Sequence, residues 1–243
     1  MRFVLLETGI RSALNRDGFV LRKEFLPQLS TAEVAVRLGR ILELDRLLPS
    51  RKIPTVQSLR PRHVEEVGMN QYSGHFGFGL FPLHTDLAHW ILPPRYFLLR
   101  CLVGADGVLT NLLHSAHVIG LLGTAALHKA VLRARKRHFA CSGLVRALSL
   151  YGEDQIFRWD PVFLEPLNRH AEALRSAMLG RPPNEAINGV RLQDQGDTLI
   201  IDNWRMLHGR SPVPEGGSLR SIERIYLAEV FDDCPADAAR VVH

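Results

Sequence analysis

The stretch Gly79-Leu80-Phe81-Pro82-Leu83-His84-Thr85-Asp86 places an imidazole and a carboxylate two residues apart in a segment whose pattern predicts a strand. Side chains at positions i and i+2 of a strand point to the same side, so His84 and Asp86 can face one common atom. A third ligand from elsewhere would complete a two-histidine, one-carboxylate site, the arrangement that suits non-heme Fe(II). Alone, a His-x-Asp pair is more often a surface or hydrogen-bonding feature.

A second stretch, residues 197–210, contains a further histidine. It predicts a strand that is followed by His208. Another β-rich segment, residues 219–227, comes next and carries Arg220 and Arg224. The chain therefore presents His-x-Asp, a long insertion, a histidine and two arginines in that order.

Together these segments resemble the taurine dioxygenase-like branch of the Fe(II)- and 2-oxoglutarate-dependent oxygenases, which includes γ-butyrobetaine hydroxylases and clavaminate synthase-like enzymes. In that family the distal histidine is followed by an arginine that grips the distal carboxylate of 2-oxoglutarate. The resemblance implies that His84, Asp86 and His208 bind iron and that Arg220 binds the cosubstrate. It covers residues 17–230 and includes three further segments: Pro93–Tyr96, Gly196–Asp197 and Asp202–Trp204.

The sequence departs from the family pattern at one cosubstrate contact. After the turn at 104–107, the family has a Gly-Gly-Asp/Glu-Thr sequence whose threonine touches 2-oxoglutarate, but Gly107 stands in the threonine position here. Thr110 is the nearest hydroxyl that can replace it. We therefore expect Thr110 to contribute to cosubstrate binding.

Short strands on both sides of one helical insertion predict a mainly β fold with flanking α-helices, a double-stranded β-helix of the jelly-roll, cupin-like type. With 243 residues, 46% hydrophobic and 23% charged, the composition is that of an ordinary globular protein with a sizeable core. We expect one dioxygenase domain over residues 1–243. Its jelly-roll core covers 70–231, between an N-terminal helical and strand scaffold (1–69) and a tail (232–243).

The N-terminal half contains several predicted elements. Residues 19–21 form a strand, and Ser30 with Glu33 has the spacing of a capping box at a helix start. The apolar positions that follow indicate that this helix continues to Leu48, and residues 49–62 predict an irregular connection. The glycine-rich segment 73–79 either lets the backbone approach a ligand or forms a flexible loop.

Further predicted elements lie in the second half. Residues 96–103 predict a strand that is buried on both faces. Residues 112–132 predict a buried or amphipathic helix, with the basic cluster 133–138 as its exposed C-terminal end, because histidines and a lysine argue against a membrane span. Residues 156–160 predict a strand. Residues 166–179 predict a helix that ends before a break at 181–184 and carries on one face Leu167, Ala171, Leu174 and Met178.

The charge and the cysteine content of the chain indicate where the protein acts and what it binds. The net charge of +5 rests mostly on arginine and leaves nucleic-acid binding as a minor alternative only. The three widely spaced cysteines argue for a reducing compartment, and the apolar run Phe3–Leu6 is too short for a signal sequence. We expect a cytoplasmic protein that binds a small molecule and neither nucleic acid nor membrane; the sequence does not indicate its oligomeric state.

The expected activity requires Fe(II), 2-oxoglutarate and O₂. Halogenating relatives have a small residue at the Asp86 position, so its carboxylate favours hydroxylation of an unactivated C–H bond in a small anionic or amino-acid-like molecule or natural-product intermediate. Desaturation, epoxidation or cyclisation would use the same cofactors. In the family the second arginine of an Arg-x-x-x-Arg pair holds an anionic substrate group, which implies that Arg224 binds substrate unless it only pairs with a nearby acid such as Glu223 or Asp202.

Three alternatives remain open on the sequence alone. One is a non-catalytic jelly-roll binding protein, although such a protein has no reason to keep all three ligands and Arg220. Another is a zinc hydrolase that uses the same ligands, which leaves Arg220 without a role. The third is a rival metal site built on His114 and His117, which lacks an acidic partner nearby.

Overall fold

The computed structural model of the protein describes residues 9–47, 53–68, 71–135, 143–180, 186–214 and 217–232. Within them, the α-helices are α1 Ile10–Asp17, α2 Thr31–Leu38, α3 Leu44–Leu47, α4 Ser73–Phe76, α5 Ser115–Leu122, α6 Thr124–Lys129 and α7 Arg169–Leu179, with a 3-10 turn at Val64–Glu66. The strands are β1 Phe19–Arg22, β2 Gly39–Ile41, β3 Gln57–Leu59, β4 Phe81–His84, β5 Tyr96–Val103, β6 Leu109–His114, β7 Val131–Ala134, β8 Leu144–Arg146, β9 Leu148–Tyr151, β10 Asp154–Phe157, β11 Leu164–Pro166, β12 Ile187–Arg191, β13 Thr198–Asp202, β14 Met206–Arg210 and β15 Ser221–Val230.

Two antiparallel sheets face each other across one apolar core. The first sheet has the order β1-β13-β5-β15-β2, with β3 also paired to β15, and the second has the order β12-β6-β14-β4. Phe97, Leu199 and Tyr226 of the first sheet pack with Leu112 and Met206 of the second. This is the predicted jelly roll, mainly β with flanking helices.

Helices and small sheets cover the outer faces of these two sheets. Helices α1 and α2 pack on the first sheet, where Leu14 and Val34 meet Leu98 and Ile225. Helices α5 to α7 pack on the second sheet together with the three-stranded sheet β11-β7-β8 and the hairpin β9-β10. The core between the two main sheets is therefore shielded from solvent on both sides.

Several predicted elements are confirmed. Strand β1 contains the predicted residues, and β5 is buried along most of its length. The capping box is present, because the Ser30 hydroxyl accepts from the Glu33 amide and the Glu33 carboxylate accepts from the Ser30 amide at 2.8 Å. Helix α7 buries Ala171 and Leu174. It begins at Arg169 rather than at 166, so Leu167 precedes the helix, and its side chain is exposed.

The prediction of one helix that continues to Leu48 is wrong, because α2 ends at Leu38. Residues 39–41 form β2 and pair with the end of β15, so a pairing with a distant strand overrides the local helical pattern. A Cβ on Gly39 would lie 2.0 Å from the Glu229 carbonyl oxygen, so only glycine fits at this crossing. The predicted irregular connection likewise contains β3, which also pairs with β15.

The single helix predicted over 112–132 is also wrong in extent. Residues 112–114 continue β6, two short helices follow around Gly123, and 131–134 form β7. Arg133 is consequently a strand residue that pairs with Glu165, not the end of a helix. No helix among the described residues is long and apolar enough to cross a membrane.

Other predictions have mixed outcomes. The predicted strand at 156–160 is observed as β10, which begins two residues earlier and ends at Phe157. The glycine-rich segment contains the short helix α4. The apolar run at 3–6, the break at 181–184 and the tail after 232 lie outside the described residues, as do Leu48, the end of the basic cluster, Cys141 and Cys234.

Candidate active site

Three buried side chains converge between the two sheets. His84 and His208 are directly opposite each other on the adjacent strands β4 and β14. The Nε2 atom of each lies 3.7 Å from Oδ1 of Asp86, and the three ligand atoms all lie within 4.8 Å of one another. The structure thus brings together the three residues that the sequence predicted as metal ligands.

Asp86 lies just beyond the strand that was expected to carry it, because β4 ends at His84. Asn203 holds the backbone of Asp86 instead. The Asn203 side-chain oxygen accepts from the Asp86 amide at 2.7 Å, and its nitrogen donates to the Asp86 carbonyl at 3.0 Å. The same nitrogen donates to Pro94 and the Trp204 indole donates to Pro93, so two of the family-like segments serve to position this carboxylate.

The protonation states of the three residues fit a metal cation. The Nδ1 atom of His84 lies 2.9 Å from the Pro82 carbonyl, and a proton there leaves the Nε2 lone pair free for a metal. Burial, together with nearby His84, lowers the pKa of His208 to about 3. Burial alone would raise the pKa of Asp86, but the positive charge of Arg224, together with the neighbouring histidines, holds it well below its usual value. The site therefore combines an ionised Asp86 and a neutral His208 with a His84 whose Nε2 faces the same point.

The outer oxygen of the Asp86 carboxylate, Oδ2, accepts two hydrogen bonds. Arg224 donates to it through Nη1 at 2.7 Å, and the Tyr226 hydroxyl donates at 2.9 Å. Arg224 is fixed on its other side, where Nη2 donates to Gln57 of β3 at 2.6 Å. Arg224 thus does pair with an acid, but the acid is Asp86 rather than either of the neighbours expected from the sequence, Glu223 and Asp202.

A cavity of about 780 Å³ opens beside the three predicted ligands, and Arg220, Ile222, Arg224 and Tyr226 all line it. Arg220 and Arg224 therefore share one face of the chain, although Arg220 lies just before β15. Burial lowers the pKa of Arg220, and its Nε atom is buried without a hydrogen-bond partner. Among the described residues, no acidic side chain pairs with Arg220. Its guanidinium is therefore suited to an anion that enters the cavity.

Thr110 is buried on β6 and lines the same cavity. Gly107 does not line it; it adopts a φ of 73° in the turn before β6, and a Cβ there would meet only open space. Of the two positions discussed for the missing threonine contact, the structure thus places Thr110 at the cavity.

Arg210 anchors the glycine-rich segment. Its Nη2 atom donates to the carbonyl oxygens of Gly77 and Gly79 at 2.9 and 2.7 Å, and its guanidinium stacks on the Phe81 ring at 3.7 Å. These contacts give Arg210 a structural role and hold α4 and β4 together. They also leave Arg220 as the more available cation for an anionic ligand.

Sequence reasoning missed Tyr72 and Asp160, which line the same cavity as the arginines. The Tyr72 ring stacks on the His84 ring with 3.9 Å between centroids, and its hydroxyl donates to Oδ1 of Asp160 at 2.9 Å. Asp160 is 2% exposed, and burial raises its pKa. Its Oδ1 also accepts from the amides of Val162 and Phe163, whereas nothing among the described residues donates to Oδ2.

The rival metal site is not formed. The Nδ1 atom of His114 accepts from the Ala116 amide at 3.0 Å and caps α5. His117 is exposed to solvent. Within the described residues, the group of three around Asp86 is the one that could hold a metal ion.

Comparison with known proteins identifies relatives of the chain, although no family model matches it. It is 26% identical to clavaminate synthase 2 of Streptomyces clavuligerus over 91% of this chain and 79% of that one. It is 30% identical to enduracididine beta-hydroxylase of Streptomyces hygroscopicus over 37% of this chain and 28% of that one.

Solved structures show the same fold. Asparagine oxygenase in complex with Fe(II), 2S,3S-3-hydroxyasparagine and succinate aligns with a TM-score of 0.62 and 20% identity, over 89% of this chain and 77% of that one. Another asparagine oxygenase structure aligns with a TM-score of 0.58 and 24% identity over 78% of this chain; there, this chain spans only 58% of the relative's length.

Proposed function

We propose that this chain is a member of the clavaminate synthase-like, taurine dioxygenase-like family of Fe(II)- and 2-oxoglutarate-dependent oxygenases. It hydroxylates a C–H bond of a small amino-acid-like molecule. The observation that carries the proposal is the convergence of His84, Asp86 and His208 beside a buried arginine that lacks a counter-ion among the described residues. We assign the activity to the single domain expected over residues 1–243.

The donor set fits ferrous iron. Two imidazole nitrogens and one carboxylate oxygen on one face are the ligands that non-heme Fe(II) takes in oxygenases. His84 and His208 would bind through Nε2 and Asp86 through Oδ1, the atoms that converge in the structure. When bound, iron, 2-oxoglutarate and O₂ supply the oxidant that removes hydrogen from an unactivated carbon.

Arg220 and Thr110 would bind 2-oxoglutarate. A planar guanidinium pairs with a carboxylate through two parallel hydrogen bonds, and such a pair is strong where water is excluded. Arg220 is buried at the cavity wall, and Thr110 offers a hydroxyl to the same cavity. Arg210 is less suited because carbonyl oxygens already occupy its Nη2.

The cavity walls support a substrate with charges of both signs. Arg224 lines the cavity and remains our candidate for a substrate carboxylate, although it must share its guanidinium with Asp86. Asp160 also lines the cavity, with one oxygen to which no described residue donates, and a substrate ammonium or amide would compensate its burial. The names of the relatives agree, since one is a hydroxylase of enduracididine and another holds hydroxyasparagine.

We further propose that the protein acts in the cytoplasm, in a biosynthetic pathway, and on a small molecule rather than on nucleic acid or membrane. The support for the compartment is the reduced state expected of its widely spaced cysteines. Cys101, the one cysteine among the described residues, is buried and unpaired.

Anaerobic reconstitution tests the cofactor assignment. Fe(II) added to the protein with 2-oxoglutarate should produce the weak visible charge-transfer band of the iron chelate, and O₂ should then convert 2-oxoglutarate to succinate. His84→Ala provides the matched control and should give no band. A wild-type protein that binds Zn²⁺ but gives no band with Fe(II) and 2-oxoglutarate would instead favour the hydrolase, and one that binds neither would favour a binding protein.

A further inference from the structure

The two oxygens of the Asp86 carboxylate have different surroundings. Oδ1 lies 3.7 Å from the Nε2 atoms of both histidines and is the oxygen that faces the metal position. Oδ2 accepts from Arg224 and Tyr226. One oxygen is therefore available to a metal, while the other is held by two donors from the same strand.

The two donors are themselves fixed. Tyr226 is fully buried on β15, and its ring packs edge-on against Phe97 of the neighbouring strand with 6.0 Å between centroids. Arg224 is anchored to Gln57 and lies over the Tyr226 ring at 5.0 Å. Neither side chain can follow the carboxylate if it turns, so a rotation of Asp86 would break both hydrogen bonds.

We propose that Tyr226, together with Arg224, restricts Asp86 to metal binding through one oxygen and so preserves a coordination position. This inference rests on the proposed function. An octahedral ion with three protein donor atoms keeps three positions, and a carboxylate that binds through both oxygens removes one of them. The cosubstrate chelate needs two positions and O₂ needs one. Tyr226 is thus a positioning residue that acts through Asp86.

Tyr226→Phe tests this role because it removes one donor and keeps the ring that packs on Phe97. The matched control is Tyr96→Phe, which removes a phenol on β5 whose ring packs with the outer apolar cluster next to α1 and α2. Both variants are loaded with Mn²⁺ in place of Fe(II). The number of water molecules on the metal is then measured from the relaxation rate of water protons, which requires no turnover.

In Tyr226→Phe we expect the metal-bound water contribution to fall by about one third, as three open positions become two. We also expect 2-oxoglutarate affinity for the Mn²⁺ protein to fall about tenfold, the lower end of the effect of losing a hydrogen bond to a metal ligand. The Tyr96→Phe values should match the wild type. Equal water counts in wild type and Tyr226→Phe would overturn the proposal, even if the metal itself bound more weakly.

The same measurement separates this inference from the proposed function. If the wild-type protein fails to bind Mn²⁺ or Fe(II), the oxygenase assignment is wrong. If the wild type binds metal and 2-oxoglutarate normally and Tyr226→Phe does the same with an unchanged water count, only the role of Tyr226 is wrong.

Discussion

The rings of Tyr72 and His84 are stacked, with 3.9 Å between centroids and 19° between planes. His84 is held on its other edge by the Pro82 carbonyl. We predict that Tyr72→Leu weakens metal binding about tenfold, because the imidazole loses the flat surface that orients it. Tyr72→Phe keeps the ring and should bind metal within about twofold of wild type. Titration with Co²⁺ compares the two; equal affinities in both variants would show that stacking does not orient His84.

Each of the three proposed ligands is required. His84→Ala, Asp86→Ala and His208→Ala should each abolish iron binding and succinate formation while the protein stays folded, since a three-ligand site has no spare donor. His117→Ala removes an exposed histidine and should leave metal content unchanged. Metal analysis after gel filtration, with circular dichroism for the fold, makes the comparison. Succinate formation by His208→Ala would contradict the assignment.

Arg220 should determine the affinity for 2-oxoglutarate. Arg220→Ala leaves the distal carboxylate without its buried partner and should raise the 2-oxoglutarate requirement at least tenfold, or about 1.4 kcal/mol. Arg220→Lys should restore the affinity for 2-oxoglutarate only in part, because an ammonium cannot form the two parallel hydrogen bonds. Arg37→Ala, on the exposed face of α2, controls for the loss of a cation. If the 2-oxoglutarate requirement of Arg220→Ala changed by less than about threefold, Arg210 or Arg224 would be the better candidate for the cosubstrate contact.

Arg224 is predicted to contact the substrate as well as Asp86. In Arg224→Gln, the amino acid that stimulates succinate formation in wild type should be needed at roughly tenfold higher concentration. At saturating Fe(II) and 2-oxoglutarate the visible chelate band should persist. Loss of the band under those conditions would mean that Arg224 serves the cosubstrate instead.

Asp197 should stabilise the fold in a pH-dependent way. Burial raises its pKa, but Lys23 and the amides of Glu24, Gln193 and Asp194 outweigh burial and lower it. Because the folded pKa is depressed, the stabilisation is present above the ordinary aspartate pKa of about 3.9 and is lost as pH falls through the lower folded value. Asp197→Asn should therefore cost about 2 kcal/mol at pH 7 and progressively less in acid, as measured by urea unfolding.

The jelly roll could be predicted because the period-two pattern of its strands is local. The three ligands could be predicted because the order of His-x-Asp, histidine and arginine resembles that of a known family, even across a long insertion. Strands β2 and β3 could not be predicted in the same way. Their residues carry a helical or irregular local pattern, and only pairing with β15, far along the chain, makes them strands.

The surroundings of the site were equally hidden from the sequence. Tyr226 contacts Asp86 across a sequence separation of 140 residues. Gln57 contacts Arg224 across a separation of 167 residues. Asp160 and Tyr72 are 88 residues apart. A single tyrosine or aspartate forms no sequence pattern with a partner that is far along the chain. His84 and Asp86, by contrast, are two residues apart and form a recognisable motif.

The pairing of His84 with His208 across adjacent strands has a consequence for how the metal enters. Backbone hydrogen bonds between β4 and β14 set the distance between the two imidazoles, and Asn203 sets the position of the carboxylate. Contacts within the protein therefore hold the three ligand residues in place without a metal ion. We expect the ion to bind and dissociate without unfolding or refolding of the two sheets.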